Sequence, residues 1–179
     1  MSEAKRKWDK LAEEYPRTLT PKKIIEGVGI FTQVDNYCRS NRILIADMNS
    51  EYQMNFKNNI IVTGKIGALR YFDDNNLELF IIETSQKIPD KILVDMSLRY
   101  TMQLYAINKL TNNKLKINGL RIYHAKSGTE ITSYRTQKDF VRLEKSIEAI
   151  GKAVRNEIFY PHEDYMCAQC KYKNYCGYL

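Results

Sequence analysis

Between residues 59 and 134 the chain writes two pairs of strands separated by one long helical run, and that order limits the folds open to it. NIIVTGKIGALRYF and LELFIIETS are rich in β-branched and aromatic residues, and they flank Asp73-Asp74-Asn75-Asn76, a cluster with hairpin-turn chemistry. ILVDMSLRYTMQLYAINKL then carries apolar residues at helical spacing for about five turns and ends at the turn-prone TNN. LKINGLRIYHA and TEITSYR follow as strands around Lys126-Ser127-Gly128. Hairpin strands must be antiparallel, whereas a helical crossover joins parallel ones. The expected fold is therefore α/β, with a mixed sheet flanked by helices.

Helical signals also bracket this run. Trp8, Leu11 and Tyr15 give residues 3–15 a narrow apolar stripe that Pro16 stops. Thr20-Pro21 is a helix start, and the segment after it, with its two glycines, reads as an interrupted helix ending near Cys38. Phe140, Leu143, Ile147, Ile150 and Val154 recur at steps of three and four, which makes residues 137–156 an amphipathic helix. No linker or repeat intervenes, so residues 1–19 are expected to form a helical extension and 20–179 one domain. The charged N-terminus is unlike a signal peptide and no apolar run approaches a bilayer span, so a cytoplasmic protein without a membrane partner is expected. A formal charge of +7 suits a polyanionic partner.

The chain ends in MCAQCKYKNYCGYL. Cys167, Cys170 and Cys176 form C-x2-C-x5-C, and the remaining cysteine, Cys38, lies far upstream. In a reducing compartment such thiols are more often metal ligands than disulfides. Four thiolates suit zinc or an iron-sulfur cluster; structural zinc usually pairs two short knuckles, whereas here the split is one and three. The spacing leaves a cluster, zinc and buried free thiols all open.

One cysteine after an early helix, then a late helix, the run IFYPHEDYMCAQCKYKNYC, and a hairpin reading NIIVTGKIGALRYFDDNNLELFIIETSQK resemble the iron-sulfur members of the PD-(D/E)xK nuclease superfamily. These are RecB-type exonucleases, including the AddB nuclease domain and CRISPR-associated exonucleases. The resemblance implies a restriction-endonuclease-like mixed sheet with a C-terminal iron-sulfur-bound tail. In it Cys38, Cys167, Cys170 and Cys176 would ligate a 4Fe-4S cluster that staples the two ends of the domain. It also implies DNA, single-stranded or at ends, as partner.

Such nucleases hold Mg²⁺ or Mn²⁺ with two carboxylates on adjacent strands, while a lysine two residues beyond the second carboxylate stabilises developing charge at the phosphate. Here Gly64-Lys65-Ile66-Gly67 puts glycine where the first aspartate belongs, and Glu83-Thr84-Ser85-Gln86 keeps the second carboxylate but replaces the lysine with serine. The helical glutamine expected four residues before Tyr105 is Thr101, with Gln103 nearer. A lone carboxylate holds Mg²⁺ poorly. The expectation is a catalytically inactive DNA-binding or accessory module. The enzymatic alternative is a divergent single-strand exonuclease in which Lys65 enters the vacant site and Glu83 carries Mg²⁺ or Mn²⁺. A third alternative is a structural subunit docked on a larger protein complex by the Trp8/Leu11/Tyr15 stripe.

Other residues invite weighing. Lys171-Tyr172-Lys173 interleaves charge with an aromatic ring as a single-strand contact would. Lys87 lies two residues beyond Ser85, but Pro89 ends the strand there. His124 and His162 are lone histidines, which are usually surface or satisfied core residues. Tyr100, Tyr105, Tyr123 and Tyr134 offer rings better suited to core packing than to base stacking.

Overall fold

The computed structural model describes residues 20–72, 76–115, 117–158, 165–171 and 173, with isolated helical positions between 6 and 14. Trp8, Leu11 and Tyr15, and with them the expected docking stripe, lie outside the described residues, as do His162, Tyr172 and Cys176.

Helix α1 (Pro21–Ser40) starts where the Thr20-Pro21 signal puts it, with the Thr20 hydroxyl accepting the Lys23 N–H. It runs unbroken through both glycines, a correction to the interrupted helix expected from them. Strands β1 (Leu44–Met48) and β2 (Glu51–Phe56) follow, then a single 3-10 turn at Lys57–Asn59. Next come β3 (Ile60–Lys65), β4 (Ala68–Tyr71) and β5 (Leu77–Glu83). The apolar run expected to form one strand before the Asp73 turn is thus two, broken at Ile66-Gly67.

β3 leaves the main sheet to pair with β2 as a separate antiparallel hairpin. β4 stays and pairs antiparallel with β5, in register from Ala68↔Phe80 to Tyr71↔Leu77, as a hairpin across residues 73–76 requires.

The crossover is also divided. Helices α2 (Lys91–Met96) and α3 (Leu98–Leu110) meet at Ser97, whose carbonyl accepts from the Thr101 hydroxyl and whose own hydroxyl accepts the Tyr100 N–H at the start of α3. Ser97 ends one helix and caps the next, so two helices stand where helical spacing alone suggests one. Strands β6 (Gly119–His124) and β7 (Thr129–Tyr134) turn through Ala125–Gly128, with Gly128 at φ 72°, and α4 (Gln137–Arg155) closes the core.

The main sheet has five strands in the order β1-β4-β5-β6-β7, parallel only between β5 and β6. That is the mixed sheet flanked by helices that the strand and helix order implied. Alternation along β5 and β6 then assigns the faces. Leu79, Leu120 and Ile122 enter the larger core with Leu104 and Ile107 of α3 and Leu143 and Ile147 of α4. Phe80 and Tyr123 face the other way and pack under Ile30, Val34 and Tyr37 of α1. Farther along α4, Ile150 and Val154 stay exposed beside β3, so its apolar stripe outruns the core.

Charge is built into the face under α1. Glu78 is buried and receives both Arg70, with Nε at 2.7 Å, and Arg121, with Nε at 3.0 Å. Arg121 also pairs with Glu130, whose second oxygen accepts the Tyr37 hydroxyl at 2.8 Å. One alternating line of charge therefore crosses β4, β5, β6 and β7 and reaches up to α1. At the other end of the helix, Lys126 Nζ meets Glu26 at 2.6 Å.

Candidate functional site

The break between β3 and β4 sets the site. Ile66 and Gly67 bridge the two sheets, and the Gly67 N–H donates to Gln103 Oε1 of α3 at 2.8 Å. A pocket of about 350 Å³ opens there, lined by Asn49, Lys65, Gly67, Phe80, Arg99 and Gln103 among others. A Cβ on Gly67 would stand 3.3 Å from the Phe80 carbonyl oxygen and in ordinary contact with Gln103 Oε1 at 3.5 Å, so a side chain at this position would press on the β5 backbone.

Among the described residues no contact joins Lys65 to Glu83, and each has another partner. Lys65 ends β3 directly across from Glu51 of β2, and its Nζ rests 2.9 Å from the Glu51 carboxylate, with both side chains largely exposed. The partner weighed for Lys65, Glu83, is engaged elsewhere: one of its oxygens accepts the Ser85 N–H at 3.0 Å. Glu83 is absent from the residues lining the pocket. None of the described residues that line it is acidic.

Ser85 occupies the position where the resembled family carries lysine, and its backbone is locked. Its carbonyl accepts from His124 Nε2 at 2.9 Å, while its hydroxyl donates to the Lys87 carbonyl at 2.8 Å. His124 is buried and its Nδ1 lies 2.7 Å from the Ser127 hydroxyl, so it is a satisfied core histidine that ties the end of β5 to the β6–β7 turn. Thr101, at the position of the expected helical glutamine, is also committed to the core: its hydroxyl accepts from Arg135 Nε at 2.7 Å. Arg135 further donates to Ser133 and to the Val94 carbonyl that ends α2.

Arg99 is the cation that sequence reasoning missed. It sits exposed in the first turn of α3, makes no ion pair among the described residues, and lies 5.8 Å from the Tyr100 ring centroid. Burial pushes the Tyr100 hydroxyl up; Arg99 opposes this and the Glu83 carboxylate adds to it, so both groups are felt at that ring. No motif marks Arg99. Its only sequence signal is a basic residue one helical turn before Gln103.

Of the weighed tyrosines, Tyr100, Tyr105 and Tyr123 are buried, and Tyr123 stacks on Tyr37 at 3.8 Å. Tyr134 is exposed on the edge strand and offers its ring to solvent, contrary to its reading as a core residue.

Cys38 is half-buried in the last turn of α1, beside the Tyr37 that joins the charged line. Burial pushes its thiol up, Asp35 adds to that and Arg70 opposes it. Cys167 and Cys170 share a 3-10 turn in which the Cys170 N–H donates to the Cys167 carbonyl at 3.2 Å. This tight turn is the kind a C-x2-C ligand pair uses. Among the described residues no three His, Cys, Asp or Glu side chains gather closely enough to hold a metal ion. Lys171 and Lys173 are exposed beyond the turn. No helix among the described residues is long and apolar enough to cross a membrane.

No protein-family model and no curated protein matches the chain. Among solved structures, a crystal structure of SSO0001 is similar, with 14% identity over 97% of this chain and 81% of that one and a TM-score of 0.49.

Proposed function

We propose that this is an iron-sulfur protein of the RecB-type nuclease fold, catalytically inactive, that binds DNA as an accessory module in DNA processing. The observation carrying this reading is the pocket at Gly67, which keeps cations and loses its acids. Mg²⁺ needs several oxygen ligands in strict geometry. Gly67 has no oxygen-bearing side chain and Glu83 does not line the pocket, so the residues lining it do not fit a catalytic metal.

The cysteines fit a 4Fe-4S cluster in donor type and in the turn at Cys167 and Cys170. Cys38 and Cys176 would complete the ligand set, and zinc is the competing occupant. The cluster would serve as a staple, with Lys171, Tyr172 and Lys173 on the stapled loop as single-strand contacts.

The test is incubation of anaerobically purified protein with end-labelled single- and double-stranded DNA in Mg²⁺ and, separately, Mn²⁺. Intact DNA with salt-sensitive retention of the single strand supports the proposal, because phosphate contacts release counterions. Degradation that both Glu83→Ala and Lys65→Ala abolish would overturn it and establish a nuclease with a migrated lysine.

A further inference from the structure

The pocket at Gly67 has reversed its electrostatic sign relative to a metal-dependent nuclease centre. Its described polar lining is Arg99, Lys65, Asn49 and Gln103, with no carboxylate among them. Gln103 is over nine-tenths buried, and its Oε1 is taken by the Gly67 N–H; its amide nitrogen has no hydrogen-bond partner among the described residues. The bond from Gly67 fixes which end of the amide is oxygen, and so leaves the two N–H donors of its nitrogen available. Arg99 adds a planar guanidinium that lies 5.8 Å from the Tyr100 ring centroid and makes no ion pair among the described residues. Lys65 is one substitution of partner away: its bond to Glu51 joins two exposed groups, and such pairs exchange readily.

We propose that this pocket binds a phosphate group directly, with no divalent cation, through the Arg99 guanidinium, the Gln103 amide and a Lys65 released from Glu51. The inference rests on the DNA-binding reading above for its natural ligand, a phosphate of single-stranded DNA, either internal or terminal. Binding without a metal is also what keeps the strand intact. The phosphodiester is gripped where no carboxylate-held ion can polarise it or generate hydroxide.

Glu51 makes the proposal testable without disturbing the core. Fluorescence anisotropy with a labelled single-stranded oligonucleotide in excess EDTA would compare the parent with Arg99→Ala and Glu51→Gln, both changes lying at exposed positions. Arg99→Ala is expected to weaken binding roughly tenfold and to lower the log–log salt slope by about one. Glu51→Gln frees Lys65 and is expected to tighten binding severalfold. Oligonucleotides with and without a 5′-phosphate separate the sources: equal affinity indicates an internal phosphodiester, and tighter binding of the phosphorylated strand indicates a terminal group.

Parent-like affinity in both variants would overturn the pocket while leaving DNA binding to the cysteine loop. A parent that binds no DNA would overturn the wider reading instead. The pocket is then judged with inorganic pyrophosphate, by ¹⁵N shifts of the Gln103 amide and Arg99 Nε. Movement of both sustains a phosphate site, and unmoved resonances sink it.

Discussion

Gln103 Oε1 accepts the N–H of Gly67, so the side chain of one helix holds the joint at which a continuous apolar run divides between two sheets. Gln103→Leu removes that acceptor and leaves the Gly67 N–H half-buried without a partner. A loss of about 2 kcal/mol is expected. Urea unfolding of the parent and the variant, at unchanged m-value, checks it.

Arg135 is a structural cation. It is buried and donates to Thr101, Ser133 and Val94, joining β7 to the end of α2 and to α3. Arg135→Met fills the space but leaves those oxygens without their donor, and the expected cost is roughly 3 kcal/mol. A thermal midpoint equal to the parent's would show that water replaces the guanidinium.

Acid should unfold this protein earlier than its core suggests. Burial pushes the Glu130 carboxyl up, but the Arg121 guanidinium and the Tyr37 hydroxyl outweigh it and hold the group below the usual carboxylate range. The Ser133 hydroxyl and Lys91 likewise hold Asp95 low. Depressed folded-state values mean that these contributions are complete above the ordinary carboxylate range, about pH 4, and vanish as pH falls through the folded values. Glu130→Gln should therefore be less stable than the parent at pH 7 and lose less on acidification. A denaturation series from pH 7 to pH 2 shows whether the two curves converge.

Loss of the proposed metal centre should leave the sheet standing. None of the described cysteines belongs to either apolar core, so oxidative loss of a cluster, or Cys38→Ser, is expected to bleach the broad visible absorbance with little change in far-ultraviolet circular dichroism. Colourless parent protein holding stoichiometric zinc would instead name the competing occupant.

The mixed sheet was legible because hairpins and a helical crossover dictate strand direction through hydrogen-bond geometry alone, and β-branched residues marked β5 and β6 plainly. β1 and β2 were not seen. All of β1 is exposed, so it carries no buried alternation; β2 does alternate, with Tyr52 and Met54 buried between exposed polar residues, but it is only six residues long and no turn-forming cluster like that at 73–76 sets it apart. The break at Ser97 was hidden because apolar spacing continues across it, and a serine inside such a pattern shows its capping role only through its bonds to Val94 and Tyr100. At the site, the departures at Gly67, Ser85 and Thr101 were readable one residue at a time. Arg99 was not, since no motif marks it, and nor was the Lys65–Glu51 pair, which depends on β3 pairing with β2 outside the main sheet.

The line of charge beneath α1 also imposes an order of assembly. Tyr37 reaches its carboxylate acceptor across 93 residues, and Glu26 reaches Lys126 across 100. Neither receptor exists until β4 through β7 are aligned, and long loops close late. Although α1 precedes the sheet in the chain, it is expected to be seated last, and pulse-labelled hydrogen exchange should find it protected after β5 and β6. Cys38 travels with that helix. Maturation of the proposed metal centre would then be a finishing step, performed on a sheet that has already chosen its shape.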